Sequence, residues 1–207
     1  MKVYVSYSPD KFLNSYVVAN EKTNEAIFID PLKIDLQTIN LIESHRYRLT
    51  HVLFTHGDKN LQREGALTIS KIYRDTEIIR YQYSDYAANT QNQIGEEKYI
   101  TISGDGIITL AGLQVEYFSV AGLTSGAYCY KIENVLFCGE ALTVGRIGTT
   151  TSNYATQNLQ KALQKKMFSL DEKLLLFPMQ GAPTSIAVER VYNEDLKTNF
   201  KEQRRSF

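Results

Sequence analysis

An α/β fold of four layers, with two mixed sheets face to face between flanking helices, is what the 207-residue sequence predicts. Three observations carry that reading. Strand-like segments with interspersed helical ones fill both halves of the chain, the pattern of sheets covered by helices. "LTHVLFT", Leu49 to Thr55, is almost wholly apolar, as a strand must be when both its faces are covered. Asp105-Gly106 is a hairpin signal between short strands. It favours antiparallel pairing over a doubly wound parallel sheet, the runner-up.

Val3, Val5 and Tyr7 alternate with polar or amphipathic neighbours and predict a first strand. "NSYVVAN" and "EAIFID" read as a hairpin around Glu21 to Asn24, and Pro31 ends the pair. Ile34, Leu36, Ile39 and Ile42 then space out helically to about His45. After the buried strand, "LQREGALTISKIYRD" places Leu61, Ala66, Ile69 and Ile72 on one helical face, and "EIIRY" is a short strand. Ser84 to Glu97 is polar and weakly patterned, which predicts a helical turn and a loop. Four strand segments follow: "KYITI", "GIITL", "LQVEYFSV" and "AYCYKIENVLFCG", the last a hairpin turning at Glu133-Asn134. "NYATQNLQKALQKKMFSL" is the strongest helix, "KLLLFPM" a buried strand, and "TSIAVERVYNED" a closing helix. There is no internal repeat, low complexity or linker, so residues 1–207 are read as one domain.

At 43% hydrophobic and 22% charged the composition is ordinary globular material. Lys+Arg and Asp+Glu are both 23, and a net charge of zero gives no electrostatic reason to expect nucleic acid or a membrane as partner. The basic stretch Lys201 to Arg205 reads as a solvated terminus. Two cysteines, Cys129 and Cys138, sit in apolar strand-like runs and read as reduced core thiols, which suits a cytoplasmic protein. "MKVYVSYSPD" lacks the apolar core of a signal peptide, and no stretch approaches the roughly 20 apolar residues of a membrane span.

The order of motifs resembles the metallo-β-lactamase superfamily, and within it the short glyoxalase II-like hydrolases. "NSYVV…EAIFIDP" resembles the opening hairpin of that family, and "LTHVLFTHGD" the strand into its first ligand loop. "VAGLTSGAYCY" sits where the second ligand loop falls. "NVLFCGEALTVGRIG" is similar to the strand that delivers a bridging aspartate, and "LLLFPMQGAPTSIAVERVYN" to the last ligand strand and helix. The longer glyoxalase II enzymes add a C-terminal glutathione-binding domain, and none is expected here.

The resemblance implies a site in which five histidines and two aspartates hold two metal ions that activate water. The slots of the first loop are His56, Asp58, Asn60 and Leu61 here, followed by Leu123 in the second loop, then Glu140 and Gln180. Only His56 matches. The chain has 3 histidines in all, His45, His51 and His56, so a five-histidine site is impossible. Leucine has no lone pair, and the amides of Asn60 and Gln180 are poor zinc ligands. His56, Asp58 and Glu140 remain as a minimal set better suited to manganese or iron than to zinc.

Without a metal, two carboxylates in one cleft repel, and one tends to hold a proton. Protonated His56, Lys59 or Arg146 are the candidates to replace the missing positive charge, and a hydrogen bond from His56 to a carboxylate is the expected vestige. Thr124 and Ser125 border the cleft, and Cys138 shares strand parity with Glu140. Neither feature by itself makes a nucleophilic site.

The lead expectation is a pseudoenzyme with no cofactor, its cleft or surface serving a small molecule, a partner protein or a homo-oligomer. The alternative is a metal-dependent thioesterase-like hydrolase with one zinc, manganese or iron ion at His56, Asp58 and Glu140.

Overall fold

The computed structural model describes residues 1–32, 34–57, 59–81 and 98–196, without the side chains of Lys59 and Leu61. The first sheet holds β1 (Lys2–Ser8), β2 (Leu13–Asn20), β3 (Glu25–Ile29), β4 (Arg48–Leu53), β5 (Glu77–Tyr81) and β6 (Lys98–Ile102), in that order. Its first three strands form an antiparallel meander, and β3 to β6 run parallel. The crossovers carry α1 (Leu36–Ser44) and α2 (Lys59–Ile72).

The second sheet gathers β7 (Gly106–Leu110), β8 (Leu113–Ser119), β9 (Tyr128–Ile132), β10 (Val135–Gly139), β13 (Leu175–Pro178) and β14 (Thr184–Ser185). Its order is β14-β13-β10-β9-β8-β7, and β10 and β13 are its parallel pair. Between β10 and β13 lie a small hairpin, β11 (Leu142–Thr143) with β12 (Arg146–Ile147), and the helix α3 (Asn153–Ala162). A π-helical turn, Leu163–Met167, extends α3, and α4 (Ile186–Tyr192) follows β14.

The period of two in the strands sorts side chains between layers. Tyr16, Val18, Ile27 and Ile29 face inward and meet Tyr130, Ile132, Val135 and Phe137 of the opposite sheet. Their neighbours Val17, Ala19 and Phe28 face outward and pack with Ile42, Ala66 and Ile69 of α1 and α2. Cys129, Leu136 and Cys138 cover the outer face of the second sheet with Leu159, Met167 and Ile186. The result is four layers, αββα. Burying one such large side chain contributes about 1.5–3 kcal/mol. Asp35, Ser152 and Ser185 cap α1, α3 and α4 by accepting from the N–H three residues on. Each cap is worth about 1 kcal/mol.

Three local expectations are corrected. Asp105-Gly106 is not a hairpin turn, because β6 and β7 belong to different sheets. The tight turn is Ala111-Gly112, with φ of 51° and 68°, and joins β7 to β8 in the left-handed geometry that twisted strands favour. Asp105 instead fastens the crossover between sheets, accepting from the Ser119 N–H at 3.0 Å and the Lys166 ammonium at 2.9 Å. The long helix expected from Asn153 changes to a π turn after Ala162, and that turn carries Lys166 to Asp105. The closing helix starts one strand later than its sequence suggested, because Ser185 both ends β14 and caps α4. Ser84 to Glu97 and the basic tail lie outside the described residues.

Candidate functional site

β4 ends at Leu53, and the chain continues through Phe54, Thr55 and His56 into the first loop. This segment is built onto Asp30, the residue after β3. Thr55 donates twice to the Asp30 carboxylate, from its N–H at 2.7 Å and its hydroxyl at 2.6 Å. Both Asp30 and His56 are 1% exposed. His56 Nε2 lies 3.9 Å from Asp30 Oδ1, and the ring packs edge-on against Phe54 with centroids 5.7 Å apart.

At 3.9 Å the His56–Asp30 contact is a charge neighbour and not a hydrogen bond. Neither ring nitrogen of His56 has a hydrogen-bond partner among the described residues. Burial pushes the Asp30 carboxyl above its ordinary value, and Glu140 adds to the rise. The neighbouring His56 and the two bonds from Thr55 oppose it.

The carboxylate that His56 meets is therefore Asp30, which the sequence reading treated only as the end of a strand. A signal was present. An acid closing a fully apolar run is costly to bury unless donors meet it.

Close backbone approach fixes the loop from two more directions. A Cβ on Gly57 would lie 2.0 Å from the Ser125 carbonyl oxygen, so the first and second loops touch where glycine alone fits. Gly57 N–H also donates to Thr124 Oγ1 at 3.3 Å. At the end of β10, Gly139 has φ of +57°, and a Cβ there would meet Thr55 Oγ1 at 2.2 Å. Leu123 is partly buried and packs on the cluster beneath α3. Asp58 and the side chains of Lys59 and Leu61 lie outside the described residues, while Asn60 is exposed in the first turn of α2.

The other side of the cleft is open. Glu140 and Gln180 are exposed and line one cavity of about 780 Å³. The backbone around Gln180 is held from below: Asn14 donates to the carbonyls of Pro178 at 3.1 Å and Gly181 at 2.8 Å, and the Tyr16 hydroxyl also reaches Pro178. Arg146 lines the same cavity, with Nε 3.3 Å from Asp195 Oδ2. Its ion-pair partner is Asp195, and no ion pair joins it to Glu140. Asp195 also accepts from the Ile147 N–H at 2.9 Å, and buried Glu189 accepts from the Gly145 N–H at 3.1 Å. These C-terminal carboxylates hold the β11–β12 hairpin in place.

Two possible nucleophiles are placed elsewhere. Thr124 Oγ1 serves the Gly57 N–H. Cys138 is 1% exposed with its Sγ 3.8 Å from the Leu142 carbonyl oxygen, and burial pushes its thiol, like that of Cys129, far from thiolate chemistry.

The residues present do not fit the pair of ions that the fold family implies. Leu123 has no donor atom and packs against the cluster beneath α3. Gln180 and Asn60 offer only neutral amide oxygens. His45 stacks on Tyr47 with ring centroids 5.3 Å apart, and His51 sits 3.5 Å from Glu77, both committed to packing elsewhere. Among the described residues, no three His, Cys, Asp or Glu side chains converge closely enough to hold a metal.

With two mixed sheets face to face between flanking helices, the chain has the metallo-β-lactamase fold. ETHE1 from Myxococcus xanthus superimposes with a TM-score of 0.74 at 21% identity, over 94% of this chain and 84% of that one. In sequence the chain is 27% identical over 186 residues to an uncharacterized protein of Treponema pallidum, covering 89% of this chain and 94% of the relative. It is also 27% identical over 150 residues to the hydroxyacylglutathione hydrolase of Shewanella halifaxensis. That match covers 72% of this chain and 55% of the hydrolase, so the chain spans about half of that relative's length. No family model matches the chain.

Proposed function

We propose that the protein is a pseudoenzyme of the metallo-β-lactamase fold, which uses the cleft beside Glu140 and Gln180 to bind a small molecule. The observation that carries this reading is Leu123. It stands in a ligand slot and, partly buried, packs against the apolar cluster beneath α3. Its side chain is engaged in apolar packing where a ligand would need a lone pair. Glu140 and Gln180 then border an open cavity without a histidine beside them. The buried free thiols Cys129 and Cys138 support a reducing, cytoplasmic setting.

A hydrolase with one ion at His56, Asp58 and Glu140 is the second reading. It is favoured by the named activity of the Shewanella relative and by the two unpartnered nitrogens of His56. Elemental analysis of protein purified from metal-supplemented cells separates the two. The pseudoenzyme reading expects trace metal and no thioester hydrolysis. About one ion per chain together with hydrolysis would replace it by the second reading.

A further inference from the structure

β1 ends the first sheet, with only β2 beside it. Its residues pair with β2 without a bulge, from Lys2 opposite Ala19 to Ser8 opposite Leu13. Among the described residues no backbone group of β1 bonds to anything but β2, so the N–H and C=O groups on its outer side stand open. An open edge is a template for another strand, and proteins usually blunt it with charge, proline or a bulge. From Val3 to Ser8 this edge has none of the three.

Apolar surface surrounds it. Val5 is 54% exposed, Tyr7 51%, and Leu36 at the start of α1 75%. Phe12, in the turn between β1 and β2, is 65% exposed with φ of +56°. A bulky side chain in left-handed backbone is sterically costly. Such costs concentrate at functional sites. On the helix side of the strand, a groove of about 750 Å³ lies between Tyr4 and Ser6 and the α1 residues Leu36, Thr38 and Leu41.

The sequence of β1 is complementary to itself. We propose that a second copy of this chain docks on the edge, its β1 antiparallel to the first about a two-fold axis through Val5. That register pairs the whole strand: Val5 with Val5, Val3 with Tyr7, Tyr4 with Ser6 and Lys2 with Ser8 of the second copy. Opposite side chains in such a pair share a face. Val3 packs with the core between the sheets and Tyr4 with the helix side. Alternation then sets Val5 and Tyr7 against Val5 and Val3 on the first face. On the second face, Tyr4 of the second copy comes beside the groove. Aromatic and β-branched pairs of this kind are favourable across strands. The charges agree. Antiparallel pairing brings the Lys2 end of one strand to the Asp10 end of the other, so like charges do not face each other. With 23 basic and 23 acidic residues, the chain also has no net charge to hold copies apart. The proposal does not rest on the pseudoenzyme reading.

Sedimentation velocity of the full chain, under reducing conditions from about 1 to 200 μM, tests it. A single strand edge makes a small interface, so a dimer with Kd below about 100 μM is expected. Val5→Lys puts a charge at the centre of the edge and should raise that Kd more than about tenfold. Ile107→Lys, on β7 at the edge of the other sheet, should leave it unchanged. Both side chains are exposed, and melting curves will show that the fold is retained. Val5→Cys reads the register. Opposite residues in an antiparallel pair have Cα atoms about 4.5–5.5 Å apart, within disulfide range. Diamide should therefore link two Val5→Cys chains, and should not link Lys2→Cys chains, whose thiols would lie at opposite ends. The native thiols Cys129 and Cys138 are buried and do not compete. A monomer at about 200 μM overturns the proposal and leaves the edge to a different polypeptide. A dimer untouched by Val5→Lys overturns it too, as does linking of Lys2→Cys in preference to Val5→Cys. If Val5→Lys fails to fold, the two cysteine variants decide alone.

Discussion

Thr55, His56 and Asp30 are closed to solvent, whereas Glu140, Gln180 and Arg146 stand exposed around a cavity. The closed side keeps a histidine although no set of metal ligands converges around it among the described residues. Its backbone is tied to Asp30 by two short hydrogen bonds and wedged against Gly57, Gly139 and Ser125. On the open side the side chains are exposed, and Arg146 is held by its ion pair with Asp195. The backbone around Gln180 and Arg146 is held by Asn14, Glu189 and Asp195, and the side chains of Glu140 and Gln180 stand exposed. The comparison teaches that the fold depends on the residues of the closed side, while those of the open side are available for recognition.

The largest expected effect falls on the closed side. Asp30→Ala leaves the Thr55 N–H and hydroxyl without their acceptor, and each unpaired buried group costs about 1–3 kcal/mol. Urea denaturation should show a loss of about 2–5 kcal/mol, and a loss under about 1 kcal/mol would mean the closed side is not clamped as described. Asp30→Asn keeps an acceptor, tolerates the residue's φ of 51°, and should cost less.

Asp30→Asn and the native chain should also diverge with pH. Burial raises the Asp30 carboxyl, so the folded protein holds this proton more tightly than the unfolded one. The stability that results is complete below about pH 4 and is lost as pH rises through the folded value. Asparagine has no such proton, so Asp30→Asn should improve relative to the native chain from about pH 4 upward. A pH-independent difference would contradict the assignment.

Smaller effects follow in order. Gly57→Ala forces a methyl group toward the Ser125 carbonyl and should cost about 1–3 kcal/mol by the same denaturation measurement. Leu123→Ala should cost about 1–2 kcal/mol, less than the 2–5 kcal/mol of a fully buried leucine, because Leu123 is only partly buried. A neutral result would detach the second loop from the core and weaken the argument drawn from Leu123. On the open side, Glu140→Gln should stay within about 0.5 kcal/mol of the native chain in the same experiment. A larger loss would make Glu140 a structural residue and blur the contrast between the two sides.

Much of this was legible in the sequence. Five motif segments in the right order give the fold, and counting histidines rules out a five-histidine centre. Asp30 was not legible as a site residue, because its partners Thr55 and His56 lie 25 and 26 positions away and a terminal acid reads as the end of a strand. Arg146 was a candidate for the missing charge by its loop, yet Asp195, which pairs with it, sits in a segment whose reading was simply helical. Asp105-Gly106 misled because dipeptide turn signals carry no information about which sheet the next strand joins. Ala111-Gly112 makes the real turn without the Asn or Asp that usually announces it.

The claim that the cleft works without metal is tested most directly by melting the protein with chelator and with about 0.1 mM zinc, manganese or ferrous iron. An ion at a hundred times its dissociation constant would stabilise the fold by about 2.7 kcal/mol. At about 2–4 °C per kcal/mol for a domain of this size, that is a rise of roughly 5–11 °C. The expected result is a Tm within about 2 °C in every condition, as weak binding requires. A rise above about 5 °C with one ion, abolished by His56→Ala, would contradict the account and make a metal-dependent hydrolase the better description.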